Sequence, residues 1–121
     1  MTANIDILAF EPDLLFFSKI DGSITKMGAR VRVITDAAVL LQDLTKDTPK
    51  LLILNLDALE GKLDMLRDVL SGKPCVSVGY YSHTNTRLGE EADRAGISVG
   101  MSRGAFVNRI QEILAWVRRG E

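Results

Sequence analysis

The residues able to do chemistry are few and far apart. Asn55 and Asp57 flank Leu56 at the end of one apolar run, Glu11 and Asp13 follow an earlier run, and Arg103 follows a later one. A carboxylate can act as a nucleophile or hold a hard cation. An amide is too poor a nucleophile for that work, so Asn55 reads as a structural hydrogen-bonding residue that bridges backbone groups. Arg103 either complements neighbouring carboxylates or greets an anion through its planar fork. The segment Tyr80-Tyr81-Ser82-His83 carries the one imidazole and reads as a polar loop, a candidate contact for a small ligand. No nucleophile or partner carboxylate lies at useful spacing from His83, so an acid–base pair is not expected there. Cys75, inside an apolar run, reads as an inert buried thiol.

A single cysteine excludes an internal disulfide, and a single histidine excludes the usual Cys/His zinc set. No triad or tunable acid pair emerges, so neither an enzyme nor a metal or other cofactor is expected. The stretch Glu11-Pro12-Asp13 is acidic and stiff where a phosphate-cradling glycine loop would have to be.

The 121 residues suit one domain spanning 1–121, and 46% hydrophobic with 26% charged residues is a globular composition. A net charge of −1 supplies no field for nucleic acid or an acidic membrane. Direct DNA binding and membrane insertion are therefore not expected. With no secretory signal and no apolar stretch near the roughly 20 residues that span a bilayer, the chain reads as cytoplasmic.

Apolar and amphipathic segments alternate from end to end. Strands are predicted at 5–10, 30–35, 51–56, 75–79 and 97–101. The third is apolar on both faces, as a central parallel strand requires. Arg30 and Arg32 alternate with Val31 and Val33 in the second, a pattern that guards a sheet edge. Helices are predicted at 13–27, after Asp36, around Leu59 to Leu70, at 85–95 and at 104–119. The first would bury Leu14, Phe17, Ile24 and Met27. The third would bury Leu59, Leu63, Leu66 and Leu70. The fourth holds only Leu88, Ala92 and Ala95. Glu11 and Asp13 read as charges favoured by the first helix's dipole. Five strands alternating with five helices predict a doubly wound, five-stranded parallel α/β sheet with helices on both faces. Ligands in such sheets bind at the carboxyl ends of the strands.

Three segments carry a resemblance. Pro49-Lys-Leu-Leu-Ile-Leu-Asn-Leu56 is similar to the third strand of response-regulator receiver domains, which usually ends Asp-Leu. Ile7-Leu-Ala-Phe-Glu-Pro12 resembles their first strand and turn. Arg94-Ala-Gly-Ile-Ser-Val-Gly-Met-Ser-Arg103 resembles their fifth-strand segment. The resemblance implies a flavodoxin-like, CheY-like fold with sheet order 2-1-3-4-5. It also implies a degenerate phosphorylation pocket made of Ala9, Phe10, Glu11, Asn55, Gly79 and Arg103. Asn55 stands where the family's aspartate accepts a phosphoryl group, and Ala9 and Phe10 stand where an acid pair holds magnesium. Gly79 (Tyr80, if the register slips by one) matches a switch Ser or Thr, Gly100 lies near a switch aromatic, and Arg103 replaces lysine. Asp57 falls past the strand end, with no partner acids left to work with.

The expected function is therefore a phosphorylation-independent pseudo-receiver, an interaction module in signal transduction. The alternative is a nucleotide or small-molecule binder at the strand ends. In the family the face formed by the fourth helix, fifth strand and fifth helix docks partners. Here that face would hold Arg87, Glu90, Glu91, Arg94, Arg103, Arg109 and Trp116, for a protein partner or self-association.

Overall fold

A computed structural model describes residues 6–82 and 84–118. His83, the start of the first predicted strand and the end of the last predicted helix lie outside them. Five strands form one parallel sheet: β1 (Asp6–Phe10), β2 (Arg30–Ile34), β3 (Leu51–Asn55), β4 (Val76–Tyr81) and β5 (Val99–Ser102). Their order is β2-β1-β3-β4-β5. The helices are α1 (Leu14–Lys26), α2 (Ala37–Lys46), α3 (Leu63–Leu70), α4 (Thr86–Arg94) and α5 (Arg103–Arg118). This is the doubly wound fold that the alternation of segments predicts.

Strand alternation splits the core into two layers. Ile7, Ala9, Leu51, Ile53, Val78 and Tyr80 face α1 and α5, whereas Leu8, Phe10, Leu52, Leu54 and Leu56 face α2, α3 and α4. Every residue of β3 is buried, so it is the strand that both layers share.

Asp13 caps α1, its Oδ1 accepting the Leu15 and Phe16 N–H groups at 3.0 and 3.3 Å. The buried face of α1 is Phe16, Ile20 and Ile24, not the predicted face through Leu14 and Phe17. Four apolar residues in a row leave the periodicity ambiguous by one position. The register that wins places Phe16, Ile20 and Ile24 at successive i+4 steps. Leu14 and Leu15 are left 55% and 81% exposed.

Three further boundaries differ from expectation. Leu59 belongs to a short 3-10 turn (Asp57–Leu59) rather than to α3; Gly61, at φ +82°, then redirects the chain into the helix. β4 runs on through Tyr80 and Tyr81, the segment predicted as a loop, because Asn55 and Tyr80 pair as the last rung with β3. β5 starts two residues late because Ser98 is held by side chains instead. Its N–H donates to Ser77 Oγ at 2.9 Å, and the Ser77 N–H donates to Ser98 Oγ at 3.1 Å.

Candidate functional site

The ends of β1, β3 and β4 bring Glu11, Asn55 and Tyr80 together. Glu11 follows β1 directly, and its N–H still donates to Ile34 O at 3.0 Å, which continues the rung to β2 and turns the side chain inward. It is fully buried. This corrects its reading as a helix-terminal charge. An unpaired carboxylate so placed would be expensive, but each oxygen has donors. Tyr80 donates its hydroxyl to Oε1 at 2.6 Å. The Asn55 amide donates to Oε1 at 3.1 Å and Oε2 at 2.9 Å. The Asp13 N–H adds a bond to Oε2 at 2.9 Å. Asn55 Oδ1 accepts the Ala58 N–H at 3.2 Å, so both ends of the amide are used.

Tyr80, not Gly79, stands level with Asn55 and on its side of the sheet. Gly79 faces the opposite layer, where a Cβ would approach Leu56 Cδ1 to 2.5 Å. The leucine after Asn55 thus requires a glycine there. Tyr80 belongs to the core, packing between Phe16 (ring centroids 5.3 Å apart) and Phe106 (4.7 Å). Burial, and then the bond to Glu11, push its pKa upward, with Arg103 opposing. Ala9 and Phe10 are core residues of opposite layers and supply no ligand atom.

A second group lies beside this one, nearer solvent. Asp57 accepts the Ser82 N–H at 2.9 Å and faces the Arg103 guanidinium at 4.0 Å. The carboxylate expected to have nothing to work with therefore has two partners. Arg103 opens α5 and lays its guanidinium over Phe16, 4.5 Å from the ring centroid, with Tyr80 at 5.7 Å. That contact turns it toward α1 and removes it from the predicted α4–β5–α5 face. An open depression of about 390 Å³ is lined by Asp57, Ser82, Ser102, Arg103 and Gly104. Of the described residues of the predicted ligand loop, Ser82 lines it, whereas Tyr80 and Tyr81 are strand residues that point into opposite layers.

Tyr81 fills a slot between α4 and β5. A Cβ on Gly89 would meet its hydroxyl at 2.7 Å, and one on Gly100 would lie 3.7 Å from its ring. Tyr81, on the neighbouring strand, thus occupies the space beside Gly100. On α4, Arg87 pairs with Glu60 at 3.2 Å and with Glu91 at 3.6 Å. Cys75 is partly buried, and burial raises its thiol to about 11 against a small lowering by Lys73.

Among the described residues no three His, Cys, Asp or Glu side chains form a metal-holding group. The donor set explains why magnesium does not fit. Magnesium needs lone pairs, and both oxygens of Glu11 face N–H and O–H hydrogens. No helix among the described residues is long and apolar enough to cross a membrane.

A receiver-type α/β sheet with a carboxylate, an amide and a phenol at its crevice is what the fold and site define. Solved structures agree on the fold. The chain is similar to a response regulator from Thermotoga maritima, with a TM-score of 0.80 and 11% identity over 97% of this chain and 99% of that one. It is also similar to the receiver domain of the sensor histidine kinase PA1611 from Pseudomonas aeruginosa PAO1, which coordinates magnesium in its active site cleft. There the TM-score is 0.77 at 16% identity, over 95% of this chain and 98% of that one. NtrX from Brucella abortus matches with a TM-score of 0.78 at 20% identity, over 98% of this chain and 28% of that one. No family model and no curated protein sequence matches the chain. It has the CheY-like receiver fold.

Proposed function

We propose that this chain is a receiver-fold module that works without phosphorylation, by protein–protein interaction in signal transduction, and that it is not an enzyme. The supporting observation is the Glu11 carboxylate, whose lone pairs are taken up by Asn55, Tyr80 and the Asp13 N–H. A phosphoryl acceptor needs a carboxylate at position 55 and a cation beside it. Here the amide and phenol hydrogens take the place of both. Partner docking is assigned to the face of α4, β5 and α5, through Glu90 and Arg94 on one helix and Arg109 and Trp116 on the other.

Intact-mass measurement after incubation with acetyl phosphate and Mg²⁺ tests the phosphorylation-free reading. The expected result is an unchanged mass for the natural chain and for Asn55→Asp alike. A stable gain that disappears on Asp57→Ala overturns the reading, since Asp57 is a partly exposed carboxylate lining the depression at the crevice. A second reading, a small ligand in the depression beside Arg103, draws on its volume and on the stacked guanidinium at its wall. A thermal shift with a nucleotide or metabolite that vanishes on Arg103→Ala would favour it.

A further inference from the structure

Two charged groups at the crevice are fixed in position with bonding capacity to spare. Arg103 lies over Phe16, 4.5 Å from the ring centroid, which orients the plane of its fork. Its approach to Asp57, at 4.0 Å, is too long for a hydrogen bond. Its N–H groups make no other hydrogen bond among the described residues. Asp57 is oriented in turn by the Ser82 N–H, which donates to Oδ2 at 2.9 Å. The same oxygen faces Arg103, so Oδ1 is not engaged by any described residue. Both side chains stay reachable, 38% exposed for Arg103 and 31% for Asp57.

These two groups line the depression of about 390 Å³ together with Ser82, Ser102 and Gly104. That volume falls within the range of about 300–1,000 Å³ that small-molecule sites occupy. The depression sits at the carboxyl ends of β4 and β5, where sheets of this type take ligands.

Charge balance decides the class of ligand. A phosphate or a simple carboxylate gains Arg103 but is set beside the Asp57 charge. A metal or ammonium ion gains Asp57 but is set beside the guanidinium. A ligand with both charges on neighbouring atoms meets each with its opposite. We infer that the depression is a site for a small zwitterionic α-amino acid. Its carboxylate accepts from the Arg103 fork, a planar match between the two groups. Its ammonium donates to Asp57 Oδ1. Ser102 Oγ already accepts the Ala105 N–H at 3.2 Å, so its own hydrogen is left to donate to the same carboxylate. The amino acid thus completes an ion pair that the protein holds open. The rest of the lining is two serines and a glycine, with no large apolar surface, so a small side chain suits it: glycine, alanine or serine.

The inference rests on the second reading above, a small ligand beside Arg103, and names its class. Titration of the full chain with glycine, L-alanine and L-serine, followed by amide NMR shifts, tests it. L-alanine should move the Ser82 and Gly104 signals with a Kd of about 1 mM or tighter. Propionate lacks the ammonium and L-alaninamide lacks the carboxylate, and each should bind about 10-fold more weakly. Asp57→Asn keeps an acceptor for the Ser82 N–H and should bring L-alanine down to the level of propionate. Arg103→Gln should bring it down to the level of L-alaninamide. Loss of structure alone would weaken all three compounds alike. The inference is overturned if none of the three amino acids moves those signals, or if binding is indifferent to removal of either charge. A preference for L-alanine over propionate that survives Asp57→Asn overturns it too. A nucleotide shift that depends on Arg103, without a response to amino acids, removes this inference and leaves the small-ligand reading standing. The acetyl phosphate experiment is decided separately.

Discussion

The crevice has a sealed half and an open half, each built around one carboxylate. Glu11 is fully buried and meets four donor contacts. Asp57 keeps about a third of its side-chain surface in solvent and has one backbone bond and one loose ion pair. The difference lies in the elements that hold them. Glu11 extends a central strand and must turn inward, whereas Asp57 sits on a 3-10 turn that leaves it free to tilt. A carboxylate in the first setting is structure; one in the second stays available to a ligand or a reagent.

The largest expected effect tests the sealed half. Asn55→Leu removes the amide donors and leaves the Glu11 charge poorly paired, which should cost about 3 kcal/mol or more in urea unfolding. A loss under about 1 kcal/mol would mean that water replaces the amide, and the two halves would then differ less than proposed.

Tyr80→Phe keeps the ring stack and deletes one bond to a charged acceptor, for an expected loss of about 2 kcal/mol. It also changes the alkaline limb. Tyr80 has its pKa raised above the usual 10.0, so the unfolded chain releases this proton first. Its contribution is complete below pH 10 and falls as pH rises further, by at most about 1.4 kcal/mol per pH unit. Cys75 adds a weaker loss between its ordinary 9.0 and about 11. In Tyr80→Phe only the Cys75 part of the limb should remain in unfolding curves taken across this range.

Changes in the open half should be smaller. Arg103→Ala loses the stacking over Phe16 and should cost about 1 kcal/mol. Asp57→Ala should stay within about 0.5 kcal/mol, because its ion pair is long and solvated. A loss for Asp57→Ala as large as that for Asn55→Leu would abolish the distinction between the halves.

Much of the fold is legible from residue pattern. The run Leu51 to Asn55 could only be a central strand, Arg30 and Arg32 announced an edge, and Asp13 and Asp36 announced helix starts. At the crevice, pattern reached the right neighbourhood and missed the partners. Tyr80 reads as a loop residue because Gly79 precedes it and Ser82 follows. Glu11 reads as a helix-terminal charge because Pro12 and Asp13 follow. Both would have been better placed by asking what could satisfy Asn55 at the end of a strand buried on both faces.

Local physics, carried by the residues themselves, determined the alternation of elements, the two-layered core and the absence of an acceptor carboxylate at position 55. Only the tertiary structure decided where Glu11 points, because its four donor contacts come from residues 2, 44 and 69 positions away. No local periodicity encodes contacts of the longer spans. They arise when parallel pairing sets Asn55 level with Tyr80 and β1 delivers a carboxylate between them.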